Sequence, residues 1–265
     1  AVQIAAGYYT SYALLADGTV KSWGSSWAGQ LGDGTNTDRT TPGAVLDLTN
    51  VRQLVAGEHH AYAQRQDGAV YGWGWNQWGQ VGDGTKVNRN RPVQVANLSG
   101  PTSLTAGRLA GYAVSGGQVL SWGCNDNGQL GDGTTTSRSA PVIVSGLSNV
   151  SSVAGGAASG YALLASGSVR AWGFNDNGEL GDGTTSPRKV PGNVSSISTA
   201  THLVANASSA FVMLQDGTVS AWGDNTWGSF GDGTRTSRTT PASLSVAAVK
   251  LARSGAGTAT MHFIN

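Results

Sequence analysis

Five glycine-rich stretches hold most of the residues that could do chemistry in this chain of 265 residues: GQLGDGTNTDRTTP, GQVGDGTKVNRNRP, GQLGDGTTTSRSAP, GELGDGTTSPRKVP and GSFGDGTRTSRTTP. Loops of this composition can cradle phosphate or calcium, so spacing decides. None ends in the Gly-Lys-Ser/Thr that brings a lysine onto a phosphate. The oxygen-rich runs NDNGQLGDG and NDNGELGDG, from Asn125 and Asn175, miss the ligand spacing of a calcium loop. The four histidines are His59, His60, His202 and His262. The adjacent pair would point to opposite faces of a strand, which makes a poor metal pair. No Gly-x-Ser-x-Gly elbow presents a nucleophile. The single cysteine, Cys124, excludes an intrachain disulfide and reads as a small, partly buried hydrophobe. These residues predict no enzyme, no metal and no cofactor.

Composition narrows the partners. Glycine is 40 of the residues and charged residues only 12%, a mixture that suits turns and strands better than helices. Sixteen basic and 15 acidic residues leave a net charge of +1, too balanced for a nucleic-acid stripe or a polybasic membrane patch. No apolar run reaches the 18 or so residues of a membrane-spanning helix. The chain opens on AVQIAAG, which is repeat material, so a signal peptide is expected to be removed or never present.

The elements that must position these loops announce themselves by repetition. Trp-Gly recurs at Trp23, Trp73, Trp122, Trp172 and Trp222, spaced by 50, 49, 50 and 50 residues. An aromatic recurs in phase at Tyr12, Tyr62, Tyr112, Tyr161 and Phe211, and a proline closes each loop at Pro42, Pro92, Pro141, Pro191 and Pro241. Each unit parses into four short strands. An apolar strand is followed by the aromatic strand, then a two-residue turn (Asp17-Gly18, Asp67-Gly68, Gly116-Gly117, Ser166-Gly167, Asp216-Gly217) and the Trp-Gly strand. The fourth strand follows the proline. One domain over 1–265 is expected, with repeats at 1–50, 51–100, 101–149, 150–199 and 200–246 and a partial sixth at 247–265. The fold class is all-β, a propeller of five or six blades.

Within that frame the glycine-rich loop reads as a clasp. Leu31, Val81, Leu130, Leu180 and Phe230 are lone apolar side chains that can plug the core between blades. Asp33, Asp83, Asp132, Asp182 and Asp232 can cap their own turns. Arg39, Arg89, Arg138, Arg188 and Arg238 are available as their charge partners, within a blade or across its boundary.

The stretch WGCNDNGQLGDGTTTSRSAPVIV and its copies resemble the regulator of chromosome condensation repeat, whose signature is Trp-Gly-x-Asn-x-x-Gly-Gln-Leu-Gly. The resemblance covers essentially the whole chain and implies a β-propeller, commonly of seven blades. The family often has histidine two residues before the core aromatic; of Thr10, His60, Ala110, Ser159 and Ser209, only His60 fits. The resemblance implies three functional branches. The branch that exchanges nucleotide on a small GTPase and binds chromatin uses a wedge inserted between strands, which an uninterrupted spacing of 49 or 50 residues excludes here. The plant ultraviolet-B receptor branch uses a Gly-Trp-Arg-His-Thr motif that is absent. Secreted bacterial recognition propellers, which present aromatic loops to a protein, suit the low-lysine, Ser/Thr/Gly-rich composition best.

Four of the nine tryptophans, Trp27, Trp75, Trp78 and Trp227, lie in the variable part of the opening loop. Repeat proteins fold with shared positions and bind with variable ones, and tryptophan is enriched in binding hot spots. The expectation is a binding module, extracellular or at the cell surface, that recognises a protein or a carbohydrate through one propeller face without nucleic acid or membrane insertion. An intracellular regulator of a GTPase or of chromatin is the alternative. AVKLA and TMHFIN repeat the phase of the first two strands, so residues 260–264 are expected to close the ring by pairing with the first or last blade, giving a monomer. Open edges would instead recruit another chain.

Overall fold

The computed structural model describes residues 1–247, 250–253 and 261–264. Blade one is β1 (Gln3–Ala6), β2 (Thr10–Leu14), β3 (Val20–Gly24) and β4 (Arg39–Ala44). Blade two is β5 (Val51–Ala56), β6 (His60–Arg65), β7 (Ala69–Gly74) and β8 (Arg89–Ser99). Blade three is β9 (Ser103–Ala106), β10 (Ala110–Ser115), β11 (Gln118–Gly123) and β12 (Arg138–Ile143). Blade four is β13 (Val150–Gly155), β14 (Ser159–Leu164), β15 (Val169–Gly173) and β16 (Arg188–Asn193). Blade five is β17 (Ala200–Ala205), β18 (Ser209–Leu214), β19 (Thr218–Gly223) and β20 (Arg238–Ala247). Each is a four-stranded antiparallel meander, and successive first strands lie side by side, β1 on β5 through to β13 on β17.

Two local rules make the meander. At the tight hairpins a residue with positive φ is required, and Gly18 supplies it at φ 77 while Asp17 Oδ1 accepts the Thr19 amide at 2.9 Å. At the end of each third strand, Trp-Gly sends the chain onto the neighbouring turn. Gly24 sits at φ 111, and a Cβ there would lie 2.1 Å from the Tyr9 carbonyl oxygen. The next amide, Ser25 N–H, bonds that same oxygen at 2.9 Å.

The core lies between blades. Trp73, Trp122, Trp172 and Trp222 are fully buried, each against the aliphatic face of the blade before. Each indole N–H crosses the boundary to a loop carbonyl: Trp73 to Gln30 at 2.9 Å, Trp122 to Gln80 at 3.1 Å, Trp172 to Gln129 at 2.8 Å and Trp222 to Glu179 at 2.9 Å. The same carbonyl accepts the core tyrosine of its own blade, as Tyr12 Oη does on Gln30 at 2.7 Å. Tyr62, Tyr112 and Tyr161 repeat that bond. One oxygen thus ties two blades, a cross-blade role that the sequence did not assign. Leu31, Val81, Leu130, Leu180 and Phe230 are buried beside it.

After blade five come β21 (Lys250–Arg253) and β22 (Met261–Ile264), which pair antiparallel in a two-stranded sheet of their own. This corrects the expected closure. Met261–Ile264 joins neither the first nor the last blade, because β21 takes the first-strand position beside β17 and β22 folds back on β21, Leu251 opposite Phe263. Residue 260 lies outside the described residues.

Candidate binding face

The geometry of a meander sorts the loops onto two ends. The first-to-second-strand turns and the long third-to-fourth-strand loops share one end, the upper face, with the tight hairpins at the other. Backbone bonds confirm the pairing on the upper face: Trp75 N–H to His59 O at 2.8 Å, Cys124 to Leu109 at 3.0 Å, Phe174 to Ala158 at 2.9 Å and Asp224 to Ser208 at 2.9 Å.

On the outer part of each loop the structure places all ten clasp residues in five ion pairs within their own repeats. They are Arg39–Asp33 at 3.1 Å, Arg89–Asp83 at 2.6 Å, Arg138–Asp132 at 2.7 Å, Arg188–Asp182 at 2.8 Å and Arg238–Asp232 at 2.5 Å. The clasp does not cross the blade boundary. Each aspartate also caps its turn, as Asp132 Oδ1 does with Thr134 N–H at 2.9 Å and its hydroxyl at 2.7 Å. Burial pushes the Asp132 carboxyl up, but the bonds from Thr134 and Arg138 and the guanidinium charge outweigh it and hold the group below the usual carboxylate range. The centre of the loop is an asparagine in blades two to five, where blade one has Ser26. Asn125 Nδ2 donates to Asp132 at 3.1 Å and to the Thr136 carbonyl at 3.1 Å, while its Oδ1 accepts Leu130 N–H at 2.9 Å.

On the inner part of the upper face, blades one and two build an aromatic cluster. Trp27, His59 and Trp75 form a triangle with ring centroids 5.3, 5.8 and 5.9 Å apart. Tyr8 lies 6.0 Å from His59 and 4.3 Å from Tyr9. Tyr8, Tyr9 and Trp27 are exposed, Trp27 by 51%. Tilted and edge-on rings at these separations are mutually supporting, so the cluster presents a pre-packed apolar platform. Arg108 borders it through a 2.8 Å ion pair to the buried Glu58, whose backbone carbonyl accepts Tyr8 N–H at 2.9 Å. Burial, with Arg108 nearby, lowers the pKa of His59 against the opposing pull of Glu58, so the imidazole in the platform is neutral at pH 7. Its neighbour His60 turns into the core, 5.1 Å from Tyr62, so the adjacent histidines part.

Of the four tryptophans picked from the sequence, the structure brings Trp27 and Trp75 together. Trp78 is half-buried and joins no ring pair among the described residues. Trp227, on blade five, is 78% exposed and likewise joins no ring pair among the described residues. Sequence reasoning missed Tyr8, Tyr9, His59 and Arg108. The available signal was their shared phase: they occupy the upper turns, where blades four and five carry Ala157-Ala158 and Ala207-Ser208. Cys124 is buried, and burial pushes its thiol pKa up, as expected of an inert packing residue. Among the described residues no group of His, Cys, Asp and Glu gathers where it could hold a metal ion.

The regulator of chromosome condensation (RCC1) repeat matches residues 17–64, 67–108, 116–163 and 166–212, and a second form of that repeat matches 1–30 and 51–80. Among solved structures, human WBSCR16 superposes with a TM-score of 0.83 at 23% identity, covering 94% of this chain and 69% of that one. Yeast RCC1 (Prp20), bound to Kap60, gives 0.84 at 21% identity, with 98% and 64% covered. Prp20p from Saccharomyces cerevisiae, reported with its binding properties to Gsp1p and histones, gives 0.81 at 22%, with 97% and 66% covered. The chain therefore spans between 64% and 69% of the length of these proteins, and at this identity the likeness is one of fold. No curated protein sequence matches the chain.

Proposed function

We propose, from the premise that this chain belongs to the regulator of chromosome condensation (RCC1) repeat family, that it is a non-enzymatic module whose upper face binds a protein partner. The observation that carries this reading is the exposed platform of Tyr8, Tyr9, Trp27, His59 and Trp75, assembled from positions outside the repeated pattern. Large amphipathic rings already packed against one another lose little entropy on binding and supply the apolar centre of an interface. The glycine-rich loops are left to hold the blades. The low-lysine composition further suggests a bacterial protein working outside the cell or at its surface. Solved relatives whose reports name protein partners, Kap60 in one case and Gsp1p and histones in another, support protein recognition as the general role. A carbohydrate is the other ligand that such a platform admits.

The test is capture of a partner from secreted and surface proteins by the immobilised chain, repeated with Trp27→Ala/Trp75→Ala. Loss of capture with an unchanged melting temperature supports the reading; undiminished capture refutes it. The second reading, an intracellular regulator, rests on the fold shared with yeast RCC1. Accelerated nucleotide release from a small GTPase would favour it.

A further inference from the structure

Blade five departs from the other four at linked positions, and the departures meet in one place. Ser229 stands where Gln30, Gln80, Gln129 and Glu179 stand, and Asn206 replaces Gly7, Gly57, Gly107 and Gly156. In the other blades that long side chain folds back over the loop: Gln30 Oε1 accepts Ala28 N–H at 2.8 Å, and Gln80 accepts Trp78 N–H at 2.9 Å. Gln129 and Glu179 do the same for Asn127 and Asn177. Serine cannot reach, so the backbone amide of Trp227 lacks that acceptor and the space is vacated. A cavity of about 230 Å³ remains, lined by Asn206, Ser208, Ser209, Asp224, Trp227 and Ser229.

The lining is ordered by its own bonds. Asn206 Oδ1 accepts Ser208 N–H at 3.2 Å and Ser209 N–H at 2.8 Å. Ser209 and Ser229 donate to the Asp224 carbonyl at 2.6 and 3.1 Å and lie 3.3 Å apart. Asp224 Oδ1 accepts Thr226 N–H, the Thr226 hydroxyl and Ser237. Burial pushes that carboxyl up, but the Thr226 and Ser237 bonds outweigh it, so Asp224 is anionic at neutral pH. Its second oxygen and the Ser208 hydroxyl make no bond among the described residues.

We propose that this cavity binds a neutral pyranose, the end ring of a glycan or glycoside. The volume suits one ring and falls below that of a drug-sized site. The exposed indole offers a π face to the polarised C–H bonds of a sugar. The free carboxylate oxygen and the remaining lone pairs of Ser209 and Ser229 accept while the Ser208 hydroxyl donates, and vicinal sugar hydroxyls need both roles where a simple cation does not. This site is separate from the platform on blades one and two and does not depend on it.

The test uses the whole chain with methyl glycosides of glucose, galactose, mannose and N-acetylglucosamine, read by saturation-transfer NMR and calorimetry, and tetramethylammonium as a cation probe. At least one glycoside is expected to bind with a Kd on the order of 1 mM. Trp227→Ala should weaken it by about tenfold or more. Ser229→Gln restores the residue type of the other blades, so it should abolish binding without lowering the melting temperature. Failure of every glycoside to bind, survival of binding in Ser229→Gln, or binding of tetramethylammonium in place of any glycoside each overturns the proposal.

Discussion

Within each long loop the outer half and the inner half behave differently. Asp33, Asp83, Asp132, Asp182 and Asp232 meet their arginines in the same way five times over. Four residues after the tryptophan of Trp-Gly, the side chain does not repeat around the blades: Trp27 packs on His59, Gln77, Asp126 and Asp176 are exposed, and Thr226 bonds Asp224. A position that recurs with the same contacts is doing something every blade needs, which is to stay joined. A position free to vary can serve a partner. Blade one sharpens the point. Ile4 is 78% exposed where its counterpart Leu54 is 1% exposed, and Trp23 is half-buried, because among the described residues no blade covers that side.

The comparison can be broken first at the blade boundary. Trp122→Ala removes a fully buried indole and its bond to Gln80, so it should cost about 3–5 kcal/mol in thermal or denaturant unfolding. Trp23→Ala, whose indole crosses no boundary among the described residues, should cost clearly less. Equal losses would show that the cross-blade bond contributes nothing. Next comes the clasp. Asp132→Ala loses a cap and a charge partner, for about 1–2 kcal/mol.

The clasp also carries a pH signature. The carboxyls of Asp83, Asp132, Asp182 and Asp232 are held below the usual range, for Asp232 chiefly by the Thr234 amide bond. A depressed carboxyl contributes stability that is present above its unfolded value, about 4, and is lost as pH falls through the folded value. The difference between wild type and Asp132→Asn, followed by denaturant melts, should therefore shrink as pH drops below about 4. A difference that grew on acidification would remove the clasp from the account. Smallest is the effect of the platform on stability. Trp27→Ala should change unfolding by no more than about 0.5 kcal/mol, since that ring is half in solvent.

Most of the architecture was legible because its signals are local and repeated. Trp-Gly spacing, the hairpin pairs and the apolar plugs each depend on neighbours in sequence, and five copies separate pattern from accident. The binding face was legible only in part. Trp27 and Trp75 stood out as tryptophans off the pattern, but Tyr8 and His59 meet them through contacts between blades fifty residues apart, which no local rule brings together. Trp78 and Trp227 share the loop class but sit further along it than Trp27 and Trp75 do, and neither meets another ring among the described residues. The cross-blade carbonyl was invisible for another reason: it is backbone, and nothing about Gln30 or Gln80 as residue types marks its oxygen. Edge cost alone does not select the partner of Met261–Ile264, because β21 offers an unfilled edge beside it.

The central claim, that repeated positions hold the fold while departing ones bind, is tested most directly by calorimetric affinity and melting temperature measured together on two variants against a purified partner. Trp27→Ala/Trp75→Ala should lower affinity by about a hundredfold or more with a nearly unchanged melting temperature. Asp132→Ala should lower the melting temperature by about 2–8 °C and leave affinity unchanged at a temperature where both variants are folded. An affinity loss in Asp132→Ala without a stability loss, or a stability loss in the double tryptophan variant without an affinity loss, would contradict it.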